Sequence, residues 1–227
     1  MNYKYYIVAD FETDSPDCET TNPVELAAVA IHPRTLEIFT EDAFKMTIKP
    51  PSMDDDDYYT DERNKTIKWH ADTRGTTTAS IIDMWQNGTS EEMVWKNFLT
   101  FLQKYHIRKN VSKKIYYTEP IISGYNIDGF DIPIFKRLAA KYKTKKWPFS
   151  KLPPSLDLQA ILYYWFDNMP EPDNMKLDTL KKYFGLESSG QAHEALSDVI
   201  DTAKILVRFL KFARSQANYD KFNNSFK

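Results

Sequence analysis

The stretch I-V-A-D-F-E-T, residues 7–13, follows two tyrosines and turns an apolar run into a pair of acids. Tyr5, Tyr6, Ile7, Val8 and Ala9 form a continuous apolar segment, which reads as a buried strand. Side chains two apart on a strand point the same way, so Asp10 and Glu12 are expected on one face. Two carboxylates held together at the end of a buried strand repel each other and lose hydration. Either one keeps its proton or a cation sits between them. The alternative is a strand running out into an acidic turn, since Asp14, Asp17 and Glu19 follow.

Composition narrows the field. With 42% hydrophobic and 15% aromatic residues in 227, the chain has the material for a sizeable core, and a disordered class is excluded. Its 30 basic and 32 acidic residues nearly cancel, so net charge alone selects no partner. The single cysteine, Cys18, excludes an internal disulfide framework and fits a reducing compartment. The first residues reach an acid too soon for a signal peptide, and no apolar run is long enough to span a membrane. The expectation is a cytoplasmic protein without a membrane partner.

Outward from the first strand, V-E-L-A-A-V-A-I (24–31) predicts a second strand, closed by His32-Pro33. Residues 36–39 and 44–48 predict two more, completing an antiparallel meander before Pro50-Pro51. Residues 52–66 are polar and carry Asp54 to Asp57 without the alternation and glycine of a calcium loop, so they read as a solvated loop. Helical spacing predicts helices over 79–85 and 90–105, with Ser90 at the N-cap and Met93, Val94, Phe98, Phe101 and Leu102 at helical spacing in the second. The basic segment 104–114 reads as an exposed connection, followed by short strands at 115–117 and 121–123. Helices are predicted over 132–142, 156–166, 177–184 (ended by Gly185) and from about His193 to Arg214. Strands first and helices after, with no internal repeat or linker, give one α/β domain over residues 1–227 with a mixed sheet.

Three further residues stand out. In the last helix Ser197, Asp201, Lys204, Arg208 and Lys211 form a polar stripe, and Asp198 falls outside it, beside Ala195, Thr202, Ile205 and Phe209. It is either a first-turn acid favoured by the helix dipole or a group held inward. Asp131 precedes Ile132-Pro133 and could be an ordinary N-cap. His193 could be an ordinary loop histidine, while His32, His70 and His106 show no partner spacing and read as structural.

In order, Asp10-x-Glu12, Asn126-x-x-x-Phe130-Asp131 and His193-x-x-x-x-Asp198 resemble the three exonuclease motifs of the DEDD family. The histidine branch (DEDDh) fits, because Glu194 stands where the sister branch has a tyrosine. N-P-V-E-L-A-A-V, S-L-D-L-Q and L-D-T-L-K-K-Y-F-G-L extend the resemblance from Tyr5 to about Phe209. It implies an RNase H-like fold with a mixed five-stranded sheet flanked by helices. It also implies 3′-to-5′ phosphodiester hydrolysis with two divalent cations, Mg²⁺ or Mn²⁺, which all-oxygen ligands suit. By the same resemblance Asp10, Glu12, Asp131 and Asp198 hold the metals and His193 is the general base. Thr13 and Asn126 match positions near the terminal nucleotide.

The resemblance leaves the polymer open. From Lys136 to Lys151 there are seven basic residues and no acid, with Tyr142, Trp147 and Phe149 interleaved. Lys143, Lys145 and Lys146 are therefore expected to contact phosphates, with the aromatics stacking on bases, unless the segment is only a solvated helix end. Residues 50–78 form an insertion relative to compact family members. Its T-I-K-W stretch loosely resembles phage-type exodeoxyribonucleases and tilts the expectation towards single-stranded DNA. An exoribonuclease, a catalytically silent binding module and a polymerase or replication partner stay open.

Overall fold

The computed structural model describes residues 3–111, 114–187, 190 and 194–220. Strand β1 (Tyr6–Thr13) is central. It pairs antiparallel with β2 (Pro23–Ile31), and β2 pairs antiparallel with β3 (Phe44–Lys49). On its other side β1 runs parallel to β7 (Ile121–Gly124), and β7 parallel to β8 (Ser155–Asp157). These five strands are the expected mixed sheet. A two-residue strand, β4 (Thr89–Ser90), adds a sixth beside β3. The residues of β2 are buried without a break, as a strand covered on both faces must be.

Strand alternation sorts the core. Ile7, Ala9 and Phe11 face α3 (Glu91–Gln103) and α4 (Asp131–Lys141), packing on Phe98 and Phe135. Val8 faces the other way, towards α5 (Leu158–Phe166), α6 (Leu177–Tyr183) and α7 (Ala195–Asp220). Asp10 and Glu12 share the parity of Val8, which directs them to the α7 side, where Asp198 stands.

Residues 52–66 are not simply a solvated loop. Asp61 opens α1 (Asp61–Thr73), and α2 (Thr78–Gln86) follows. The Thr60 hydroxyl accepts the Arg63 N–H at 3.3 Å, and Asp61 and Glu62 occupy the first turn, where the helix dipole favours acids. Only Ile67, His70 and Ala71 of α1 are buried, an i, i+3, i+4 stripe too thin to stand out in a polar sequence. They join Val24, Met53, Tyr58, Ile81 and Trp85 in a third core. The insertion is thus a packed helical layer.

Three smaller corrections follow. Residues 32–36 form a turn with Leu36 at φ 60°, and 37–39 then lie beside the end of β2 as an isolated bridge, Ile31 to Ile38, with the Phe39 N–H donating to the Ala30 carbonyl at 2.9 Å. The basic stretch read as a connection contains β5 (Ile107–Val111), which pairs with β6 (Lys114–Thr118) as a separate ribbon. Leu156, read as helical, belongs to β8, and Asp157 caps α5 by accepting the Ala160 N–H at 3.2 Å. Among the described residues no helix is long and apolar enough to cross a membrane.

Candidate active site

The acids meet at the end of β1. Asp131 is the first residue of α4 and is buried, but it caps nothing: the N-cap position is Phe130. Its Oδ1 instead accepts the Phe11 N–H at 2.9 Å, across 120 positions of chain. That bond ties the second acidic motif to the backbone between Asp10 and Glu12. Asp198 lies in the first turn of α7, and its own N–H donates to the Glu194 carbonyl at 3.2 Å. Asp10, Asp131 and Asp198 line one cleft of about 630 Å³, with Asn126 and Tyr125 beside them. Asp198 is thus both a first-turn acid and part of the cleft wall, so the two explanations offered for it hold together.

Glu12 lines an adjoining hollow of about 640 Å³ with Phe11, Thr13 and His70. Trp69 and Phe130 border both cavities, so the two are neighbours. Thr13 is buried, and its hydroxyl donates to the Ser15 carbonyl at 2.8 Å. Asn126 is exposed at the cleft with φ 55°, a conformation asparagine tolerates better than most residues. His193 lies outside the described residues.

Electrostatics mark the cluster. Burial, then the charges of Asp131, Glu12 and Asp198, hold the Asp10 carboxyl well above the usual range. Burial also raises Glu12, and Arg74 opposes the rise. Asp131 is pushed up to about 7 by burial, although the Phe11 N–H favours its charged form. Carboxylates crowded this way stay ionised only beside positive charge. The candidate donors are all oxygen, a set that suits a hard divalent cation. Among the described residues, though, no three such side chains converge as ready-made ligands.

Sequence reasoning missed three neighbours. Glu25 sits opposite Glu12 in the β1–β2 ladder, buried, and its Oε1 accepts the Ala195 N–H at 3.0 Å. Arg74 places Nη1 3.6 Å from Glu25 Oε2. His70, read as merely structural, is buried with Nε2 3.0 Å from the Thr13 carbonyl and Nδ1 3.9 Å from Glu12 Oε2. Glu25 alone left a signal, as an acid inside an otherwise apolar strand.

The lysines lie elsewhere. Lys143 and Lys145 are exposed and border a hollow of about 400 Å³ beside Trp95, and Lys146 pairs with Glu119. The interleaved aromatics differ in exposure: Tyr142 and Trp147 are half-buried and Phe149 is buried. Phe149 is in the core, Trp147 packs on it, and the Tyr142 hydroxyl donates to Glu91 at 2.6 Å.

Residues 111–206 match the exonuclease family described as RNase_T. That stretch is similar to exonuclease sequences and makes up less than half of the chain. The matched exonuclease stretch contains Asn126, Asp131, His193 and Asp198, while Asp10 and Glu12 precede it. Among curated protein sequences, none matches the chain. In fold, the exonuclease stretch and what precedes it resemble E. coli exonuclease I solved with a dT13 oligonucleotide. The TM-score is 0.65 at 17% identity, over 95% of this chain and 43% of that one. The zinc-bound E. coli exonuclease I–ssDNA complex gives 0.67 at 18%, over 96% and 43%. Cell-death related nuclease 4 gives 0.60 at 18%, over 92% and 64%. At these identities the likeness is one of fold, the RNase H-like α/β fold. The chain spans about two fifths of the length of the exonuclease I chains it resembles, 40% and 43% in two of them.

Proposed function

We propose that this chain is a metal-dependent 3′-to-5′ exonuclease, with single-stranded DNA favoured over RNA, and that residues 1–227 act as one unit. The observation that carries the proposal is the meeting of Asp10, Asp131 and Asp198, from three distant segments, on one cleft beside the buried Glu12. The exonuclease family match over 111–206 supports the reaction class. The oligonucleotide bound by the exonuclease I of similar fold supports the choice of DNA.

In this reading Asp10, Glu12, Asp131 and Asp198 hold two divalent cations, Mg²⁺ or Mn²⁺. Such cations supply positive charge at the scissile phosphate and make a nearby water more acidic. The chain's own groups do the rest. His193 takes the proton of the attacking water, a role neutral imidazole fills near pH 7. Asn126, at the rim of the cleft, and Thr13, beside Glu12, place the terminal nucleotide. Phe11, through its N–H, keeps Asp131 turned towards Asp10.

The test uses 5′-labelled single-stranded DNA and RNA oligonucleotides of one sequence, with Mg²⁺ or Mn²⁺, with and without chelator. A ladder of shortened products that chelator and Asp10→Ala both abolish is the expected result, with DNA shortened faster. Faster shortening of RNA moves the substrate to the exoribonuclease reading. Intact oligonucleotides under every condition overturn the catalytic proposal.

A further inference from the structure

We infer that the β5–β6 ribbon is a distal docking surface for the nucleic-acid strand whose end lies at the carboxylate cleft. The inference rests on the exonuclease reading for the identity of the polymer, and on the following geometry for the place.

The ribbon belongs to neither face of the main sheet. Its two strands pair only with each other, from Ile107 opposite Thr118 to Val111 opposite Lys114. Directly opposed residues of an antiparallel pair share a face, as do residues two apart along a strand. Arg108 opposes Tyr117, and Ile115 lies two residues from Tyr117, so these three occupy one face. All three are exposed, Tyr117 at 56% and Ile115 at 51%. Apolar and aromatic side chains standing in water on a free ribbon need an explanation. The charge on that face chooses the occupant: Arg108, opposite Tyr117, is exposed beside the ring. A guanidinium beside an exposed ring matches a phosphate backbone that carries stackable bases.

A basic segment joins the base of the ribbon to the cleft. Helix α4 starts at Asp131 and ends at Lys141, about 16 Å further along its axis. Lys143 and Lys145 follow, exposed. Lys146 then pairs with Glu119, the residue after β6, and the Ser150 N–H donates to the Pro120 carbonyl at 2.7 Å. The segment that leaves the active-site helix therefore ends against the base of the ribbon. At a stacked rise of about 3.4 Å per nucleotide, the length of α4 corresponds to about five nucleotides. A four-nucleotide substrate seated at the cleft is shorter than that length.

The experiment reads binding and turnover separately. Asp10→Asn protein, with no turnover expected, is titrated against 5′-fluorescein single-stranded DNA of 25 and of 4 nucleotides, by anisotropy, with and without Arg108→Ala plus Tyr117→Ala. The paired change should raise Kd for the 25-mer by about tenfold, leave the 4-mer unchanged and lower the salt slope by about one. Arg108→Lys plus Tyr117→Trp, which keeps the charge and a ring, should bind like the parent and controls for folding. An unchanged Kd for the 25-mer overturns the inference and leaves the face to a protein partner. If the otherwise unaltered chain shortens no oligonucleotide while the 25-mer still needs Arg108 and Tyr117, the ribbon stands and the exonuclease reading falls. If it does shorten them and the ribbon variant binds normally, the ribbon alone falls.

Discussion

Glu25 Oε1 accepts the N–H of Ala195, the first residue of α7, at 3.0 Å, so the second strand holds the start of the helix that carries Asp198. The bond spans 170 positions of chain and is buried. It fixes where α7 begins over the sheet, and so how deeply Asp198 reaches towards Asp10. Glu25→Ala strands a buried N–H and should cost about 1–3 kcal/mol of stability by urea denaturation. Glu25→Gln keeps an acceptor in place and should lose less. Equal losses in the two variants would show that the charge of Glu25, and not its hydrogen bond, matters.

Glu25 also faces Glu12 across the ladder, and like charges directly opposed destabilise a sheet. Arg74, at the C-terminal end of α1, answers that repulsion: it stands 3.6 Å from Glu25 and favours the charged form of Glu12. Arg74→Gln should therefore destabilise the metal-free protein by about 2–3 kcal/mol, below the usual cost of breaking a buried pair because the guanidinium keeps some water contact. Divalent cation, supplying replacement charge, should recover part of the loss. Thermal melts of both proteins with and without Mg²⁺ read this directly, and a loss that Mg²⁺ leaves untouched would remove Arg74 from the electrostatics of the cluster.

The raised carboxyls make stability depend on pH with an inverted sign. A carboxyl whose folded pKa lies above its unfolded value contributes most when protonated, below the unfolded pKa, and loses that contribution as pH rises through the folded one. For Asp131 the window runs from about 4 to about 7, and the linked energy is on the order of 4 kcal/mol. Asp10 and Glu12 act in the same direction. The metal-free protein should therefore melt at a higher temperature at pH 5 than at pH 8, and Asp131→Asn should flatten the difference. Cation binding needs the charged forms, so added Mn²⁺ should raise the melting temperature more at pH 8 than at pH 5.

The sequence showed those parts that rest on strand parity and chain-long spacing. Tyr5 to Ala9 is a continuous apolar run, as a buried strand is, with Asp10 and Glu12 two apart beyond it, and Asp198 stood off its helix's polar stripe. These are local signals, set by periods of 2 and 3.6 residues. What stayed hidden was tertiary. In α1 the buried stripe is three residues long, and Arg74 and His70 matter only because the insertion folds back onto Glu12. Glu25 was visible as a misplaced acid, but its partner lies 170 positions away. Of the rings expected to stack, Phe149 is claimed by the core beneath α4, while Tyr142 and Trp147 are half-buried against it.

The lysines after α4 remain the simplest contact for a strand leaving the cleft, and the structure ranks them. Lys143 and Lys145 are exposed around a hollow, whereas Lys146 already pairs with Glu119. Lys143→Ala plus Lys145→Ala should raise KM for a long oligonucleotide by about tenfold and lower the salt slope by about two, with dinucleotide hydrolysis unchanged. Lys146→Ala alone should do less, because any phosphate contact there competes with a carboxylate already in place. Its effect should grow when Glu119→Gln removes that competitor's charge. Salt-dependent kinetics on long and short substrates separate these cases. Equal loss on the dinucleotide would place the lysines at the chemistry itself and not along the strand.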